Sequence, residues 1–288
     1  GEAYLTLALM EASAPATKHL AEAEAAALEL ADSQRSAGTL SARGALPFRV
    51  RQAQAAMRLE LQRVSTENAR RQLERLLGLA AGRQPIRTAG LPLLPDTLPA
   101  WDDLESVAWA NRIDARRAEE DFQRENPAGY AYSFPEVGNV LPLLAPNRMF
   151  VTPVRLSTNE IRALETRRRV ATEVGEAAAQ LRLAHMTAVR LRDSVLPARS
   201  AALEETLKHY NGMLVGAYDI LQAKQDEVEA QKHHLEAVRN FWSAFLTLEQ
   251  AVGGQLPESV AASYTTPQTA SPTWTQTSHS GHGMDRRQ

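Results

Sequence analysis

The sequence predicts a mainly α-helical protein, made of long antiparallel coiled-coil helices from a duplicated half, with at most one short β-hairpin and a disordered C-terminal tail. Three observations predict this fold class. A helical segment bounded by glycines occurs twice, the composition favours helices, and apolar residues recur at heptad spacing in the last long segment.

The repeated segment occupies residues 38–78 and again residues 212–253. Both copies begin at a glycine, carry a Gln-Ala pair early, and end on Leu-Glu shortly before another glycine. A helix of about 40 residues extends over roughly 60 Å at 1.5 Å per residue. Two matching rods of this length predict an elongated helical protein rather than a compact enzyme.

The composition supports helix-on-helix packing. Strong helix formers such as Ala, Leu, Glu and Arg are abundant, and aromatic residues make up only 6% of the chain. The formal net charge is −2, so nucleic acid is not an expected partner. Cysteine is absent, which excludes disulfides and thiolate chemistry. Since the sequence contains no phosphate loop, nucleophile elbow or HExxH motif, we expect no catalytic residues and no cofactor.

Residues 1–79 are predicted to form the first long-helix half. Pro15 is expected either to kink the first helix or to separate two shorter ones. Pro47 suits the first turn of the next helix, which is predicted over about residues 48–77. Gly78 is predicted to end that helix as a left-handed cap.

The middle of the chain is rich in proline. Residues 80–125 are predicted to hold an extended connector and then a short helix, which Asp102 or Asp103 begins and which runs to about Arg124. Residues 126–157 mix prolines with β-favouring residues, which indicates a degenerate β-hairpin.

Residues 158–256 are predicted to form the second long-helix half. Ser157 and Glu160 have the spacing of a capping box at its start, and Pro197 is expected to interrupt it in the middle. Residues 257–288 lose the helical pattern and are predicted to be disordered. Heptad spacing, which predicts packing along another helix, joins Leu221, Val228, Leu235 and Trp242. A helix of a globular bundle is the alternative interpretation of this spacing.

These features resemble the outer membrane factors, the TolC-like exit ducts of Gram-negative tripartite efflux pumps. The resemblance covers roughly residues 1–256. Residues 210–212 followed by 221–223, which read Tyr-Asn-Gly and Leu-Gln-Ala, are similar to a recurrent pattern in the family's last long helix. Residues 93–95, 104–105 and 111–114 are similar to the linker between the family's two halves. The heavy-metal efflux branch is the favoured subgroup.

The resemblance implies a homotrimer that gives strands to a shared outer membrane barrel and helices to a periplasmic tunnel. It implies a passive export duct for metal ions or drugs, with a periplasmic adaptor and an inner-membrane RND-type pump as partners. Outer membrane lipid is a further partner where the barrel is complete. The expected location is the outer membrane and periplasm. Because residue 1 falls after the family's first strand pair, we expect a fragment or a divergent member.

Four glycines are candidate adaptor-facing residues, because the family opens at its periplasmic helix tips. Gly38, Gly44, Gly212 and Gly216 lie at the pauses between long helices, where the lack of a side chain permits close helix approach.

A metal site is the sharpest local chemical signal. His279, His282 and Met284 place two imidazoles and a thioether within a short stretch, and these ligands suit Cu(I). The alternative is chance occurrence of histidine in a disordered tail. Two other functions stay open: a soluble periplasmic helical scaffold, and a metal-binding protein without channel activity.

Overall fold

The long helices that the sequence predicts are present. The structure is a computed structural model that describes residues 1–79, 86–98, 103–125 and 158–254, and no strand occurs in these ranges. The mainly α fold class is therefore confirmed, whereas the hairpin predicted at 126–157, Ser157 and the predicted tail at 257–288 lie outside the described residues. The helices are α1 Glu2–Ser36, α2 Ala42–Leu76, α3 Leu104–Asn111, α4 Ile113–Glu125, α5 Thr158–Arg190, α6 Leu196–Asn211 and α7 Ala217–Val252, with a π-helical turn Leu191–Val195 between α5 and α6.

Helix α7 lies between α1 and the rod formed by α5 and α6, and α2 packs on α1. At the start of α1, Glu2 accepts hydrogen bonds from Arg239 and Ser243, near the end of α7. Near the end of α1, Gln34 accepts one from Tyr218, at the start of α7. The two helices are therefore antiparallel, as predicted.

The main core lies between α5 and α7. Phe241 is completely buried, and its ring contacts that of Trp242 edge-on, with centroids 5.2 Å apart. Burying one such side chain contributes about 1.5–3 kcal/mol. Of the predicted heptad positions, Val228 and Trp242 are buried, whereas Leu221 and Leu235 are half-buried. The coiled-coil pattern thus identifies the correct face of α7.

Pro197 does not interrupt the second half as predicted. The chain stays helical from Thr158 to Asn211 because the π-helical turn precedes the proline. A proline has no N–H, and its ring clashes with the carbonyl four residues earlier; the wider π-helical turn gives that carbonyl room. The break comes later, at residues 212–216, before α7 begins.

The first half also differs in detail from the prediction. Pro15 lies inside α1, which continues past it without a break, so the two-helix alternative is wrong. Helix α2 begins at Ala42 because the Ser41 hydroxyl caps it, accepting a hydrogen bond from Gly44 N at 3.1 Å. Pro47 consequently lies in the second turn and not in the first.

The short helix predicted to run to Arg124 is divided in two. Arg112 adopts an extended backbone with ψ 135°, which separates α3 from α4. Asp103 precedes α3 as predicted, but its side chain makes no capping hydrogen bond. Gly78 has φ +69°, so the predicted left-handed cap of α2 is confirmed.

Residues 86–98, called the crossing segment below, cross the four longest helices, α1, α2, α5 and α7. Prolines keep this segment extended and remove some of its donors, so its carbonyl oxygens need partners from elsewhere. Each long helix supplies one side chain to such a carbonyl. The contacts are Arg70 Nε to Ile86 O (3.1 Å), Tyr4 Oη to Gly90 O (3.0 Å), Trp242 Nε1 to Pro92 O (3.1 Å) and His185 Nε2 to Pro95 O (2.8 Å).

Candidate functional site: helix tips and an outward apolar stripe

The two turns that join long helices lie at the same end of the molecule. One turn links α1 to α2 at residues 37–41, and the other links α6 to α7 at residues 212–216. The Tyr218 hydroxyl donates to Gln34 Oε1 at 3.0 Å, and the rings of Tyr218 and Phe48 have centroids 4.2 Å apart. We call these two turns the paired tip.

All four predicted glycines belong to the paired tip or to the first turn beside it, but only Gly38 has a backbone conformation that favours glycine. Gly38 has φ +78°, and a Cβ on Gly44 would lie 2.9 Å from Leu40 Cδ1. Gly212 and Gly216 have φ −80° and −87°, which any residue adopts. Their proposed contact with an adaptor stays a prediction.

The apolar end of the second turn was not predicted from the sequence. Met213 is 94% exposed and Leu214 is 75% exposed. Met213 also has φ +60°, a left-handed conformation that costs about 1–3 kcal/mol for a residue other than glycine. Strained, exposed apolar residues at a loop are typical of a contact surface. The sequence does not reveal this strain, because methionine is not a residue type that usually adopts a left-handed backbone.

Helix α2 carries apolar residues on two opposite faces. Phe48, Ala55 and Leu73 are buried on the face that packs on α1. At 3.6 residues per turn, a second set lies on the opposite face, where every member is between 54% and 58% exposed. We call this set the outward stripe. Its members are Leu46, Val50, Met57, Leu61 and Val64.

The spacing of the outward stripe is that of one side of a coiled coil, in steps of three, four and seven. The sequence contains this signal, but it does not show which of the two faces turns inward. The long helices pack in the order α2, α1, α7, α5, and we call this arrangement the helical layer. At the edge of the layer opposite α2, Leu183 and Met186 of α5 are 60% and 65% exposed. Both edges of the layer therefore offer apolar surface to a neighbouring helix.

A cluster of charged side chains around Arg112, called the joint below, holds the helices together at the end away from the paired tip. Arg112, at the break between α3 and α4, donates two hydrogen bonds to Asp114 at 3.0 and 2.9 Å. It also binds Glu173 of α5 and the carbonyl of Ala251 at 3.1 Å, near the end of α7. The hydrogen bonds from Arg112 outweigh burial and lower the pKa of Asp114. Arg112 belongs to the segment that resembles the family linker, and its role here is structural.

An open cleft of about 770 Å³ lies beside this joint. Arg112, Asp114 and Arg169 line it, and all three are engaged in ion pairs with one another or with Glu173. The charges of these three residues are therefore already engaged in contacts within the fold.

The predicted metal residues His279, His282 and Met284 lie outside the described residues. Within the described ranges, no group of three or more His, Asp or Glu residues is placed to hold a metal ion. No helix in this part of the chain combines the length and apolar character needed to cross a membrane.

Several solved outer membrane channels have a similar arrangement of helices. CusC, described as forming a transmembrane channel, superposes with a TM-score of 0.64 at 14% identity over 88% of this chain and 77% of its own. The Campylobacter jejuni channel CmeC gives 0.60 at 12% identity, over 92% and 65%. The Neisseria gonorrhoeae channel MtrE gives 0.60 at 18% identity, over 88% and 64%.

The chain thus spans a little under two thirds of the length of CmeC and of MtrE. No protein-family model matches the chain, and no curated protein matches it by sequence. The resemblance drawn from the repeated helices is nevertheless confirmed at the level of the fold. The chain carries the long-helix part of the outer membrane factor fold.

Proposed function

We propose that this chain forms the helical wall of an outer membrane efflux duct. Three copies assemble side by side around a tunnel, through which metal ions or drugs pass without a covalent step. An inner-membrane RND-type pump drives transport, and a periplasmic adaptor docks at the paired tip. The duct lies in the outer membrane and periplasm of a Gram-negative bacterium. The protein has no enzymatic activity in this proposal and needs no cofactor.

The observation that carries the proposal is the outward stripe on α2. An exposed apolar row along a helix loses contact with water only when another helix covers it. In this proposal, the edge of α5 and α6 on a second copy covers it. Since the two edges differ, the contact is head-to-tail, and such contacts close into rings when the rotation between copies allows it. The likeness of the fold to outer membrane channels supports the same arrangement.

Charged substitutions on the outward stripe test the proposal. Met57→Glu combined with Leu61→Glu should convert the assembly to single copies, because two carboxylates cannot be buried without partners. Size-exclusion chromatography with light scattering gives the mass. The matched control is Ala56→Glu with Ser65→Glu, which adds the same charges to exposed positions flanking the stripe. A wild-type chain that is already monomeric would favour the alternative of a periplasmic scaffold without a conduit.

Docking of the adaptor at the paired tip is tested separately. The exposed Met213 and Leu214 supply apolar contact area, and the Gly212 and Gly216 turn holds them at the end of the rods. Met213→Asp with Leu214→Asp should abolish capture of the chain by an immobilised periplasmic adaptor. Unchanged capture would mean that the adaptor does not dock at the paired tip. It would not argue against the side-by-side assembly of three copies.

A further inference from the structure

The cleft beside the joint lies between α4 and α5, which run in opposite directions. Arg112, just before α4, binds Glu173 of α5, and Asp114 pairs with Arg169 at 3.4 Å. Residue numbers therefore fall along α5 as they rise along α4. Ala115 is completely buried at this end, which holds the start of α4 close to its neighbours. The joint consequently closes one end of the cleft.

Further from the joint, charged side chains of opposite sign line the two walls without meeting. Arg117 and Asp121 line the α4 wall, and Arg162 and Glu165 line the α5 wall. The register set by the joint places Arg117 opposite Glu165, and Asp121 opposite Arg162. Asp121 pairs with Arg124 of its own helix at 3.4 Å. The other three have no ion-pair partner among the residues that the structure describes.

The charges on the walls select the chemistry of a ligand. A guanidinium group donates parallel hydrogen bonds to a carboxylate, and a carboxylate accepts hydrogen bonds from an ammonium group. A purely anionic ligand would lie against Glu165 and Asp121, and a purely cationic one against the two arginines. Like charges in contact disfavour both of these ligands. The cleft therefore matches a ligand that carries charges of both signs.

The dimensions of the cleft favour a short ligand. Asp114 and Asp121 lie two helical turns apart, which is about 10 Å. An extended peptide rises about 3.3 Å per residue, so about three residues span this length. The cleft volume of about 770 Å³ lies within the range of about 300–1,000 Å³ that is usual for small ligands. Asn159, Thr166 and Gln250 also line the cleft and can hydrogen-bond to peptide groups.

We infer that this cleft binds a short extended peptide that carries one carboxylate and one ammonium side chain. Arg117 and Arg162 bind the carboxylate, and Glu165 with Asp121 binds the ammonium group. The site lies at the end of the molecule away from the paired tip. It belongs to a single chain and does not depend on the duct proposed above.

Three tripeptides test the site by isothermal titration calorimetry with the complete chain. Each is acetylated at one end and amidated at the other, so that only its side chains carry charge. Glu-Ala-Lys carries both signs, Glu-Ala-Gln only the negative charge, and Gln-Ala-Lys only the positive one. The first and third side chains of an extended peptide point to the same side. We expect Glu-Ala-Lys to bind, and each of the other two to bind at least about tenfold more weakly, because each loses a hydrogen bond between charged groups.

Substitution of the two arginines locates the peptide. Arg117→Gln with Arg162→Gln should weaken binding of Glu-Ala-Lys by at least about tenfold. Both side chains are exposed, so the fold should persist, which circular dichroism verifies. The matched control is Arg116→Gln with Arg168→Gln, which removes two exposed arginines from the same helices outside the cleft. The control should bind the peptide as the unsubstituted chain does.

Four results would overturn the site. Failure of the unsubstituted chain to bind Glu-Ala-Lys would mean that the cleft is only a solvated gap. Equal affinity for Glu-Ala-Gln would mean that the cleft selects anions. Unchanged binding in Arg117→Gln with Arg162→Gln would place the peptide elsewhere, and equal weakening in the control would mean that only the overall charge matters. None of these results bears on lateral assembly, which the stripe variants test.

Discussion

Tyr218, at the start of α7, donates a hydrogen bond from its hydroxyl to the Gln34 side-chain oxygen near the end of α1, over 3.0 Å. The ring of Tyr218 lies against Phe48 of α2, with centroids 4.2 Å apart. One side chain thus contacts both helices of the first half, at the end where the two turns meet. It is the described contact best placed to hold the paired tip closed.

Removing the Tyr218 hydroxyl should loosen the paired tip while leaving the ring contact in place. Tyr218→Phe is expected to lower the free energy of unfolding by about 0.5–1.5 kcal/mol, the usual net contribution of one hydrogen bond. Tyr218→Ala should cost more, because the contact with Phe48 is lost as well. A double-mutant cycle with Gln34→Leu, measured by denaturant unfolding, isolates the hydrogen bond. Simple additivity of the two single effects would contradict a direct interaction.

Gly253 ends α7 with φ +94°, and a Cβ there would lie 3.1 Å from Arg112 N and from two atoms of Asn111. Gly253→Ala should therefore destabilise the protein both by backbone strain, about 1–2 kcal/mol, and by pushing α7 away from the joint. Gly254→Ala is the control, since Gly254 has φ +88° but no atom within 4 Å of the added Cβ. Thermal unfolding should show the larger loss for Gly253→Ala. Equal losses would mean that the close approach to Arg112 is unimportant.

The carboxylate of Glu11 ties the crossing segment to α1 and α2. It accepts hydrogen bonds from Thr88 N and Oγ1 at 3.0 and 2.7 Å, and from Arg70 at 3.2 Å. Burial raises its pKa, but these hydrogen bonds outweigh burial and bring the pKa below the ordinary value of 4.5. A carboxyl whose pKa is lower in the folded state stabilises the protein fully above the unfolded pKa, and less as pH falls.

Stability should therefore decline as the pH falls from above 4.5 through the lower pKa of folded Glu11. Glu11→Gln should be less stable than the original protein at neutral pH and should show a smaller decline in acid. Denaturant unfolding across this pH range measures both effects. Glu60→Gln, at an exposed ion pair with Arg63, is the control and should keep the original acid response. An identical pH profile for Glu11→Gln would exclude Glu11 as the source of the decline.

Local patterns were enough to predict the rods and their ends. The heptad residues of α7 and the cap at Gly78 depend on neighbours along the chain, and both are confirmed. The break at Arg112 and the continuity through Pro197 depend on contacts between distant segments and on a wider helical turn. Those features leave no periodic signal in the sequence. The single helix predicted to run to Arg124 and the interruption predicted at Pro197 were therefore wrong.

The candidate site, too, was only partly predictable from the sequence. Glycine punctuation located the two turns that form the paired tip, although their meeting through Tyr218 and Gln34 required the fold. The outward stripe has a regular spacing, but α2 also carries the buried set that contains Phe48 and Leu73. Sequence alone does not decide which of two apolar faces packs on α1. The structure decides it, and thereby exposes the face that the proposed assembly needs.

Electron microscopy of the purified assembly shows whether the chain forms the wall of a duct. We expect closed rings of three copies around an open centre, with α2 of each copy against α5 and α6 of the next. Met57→Glu with Leu61→Glu should abolish the rings, and Ala56→Glu with Ser65→Glu should preserve them. Single rods, or pairs in which α2 packs on α2, would contradict the duct.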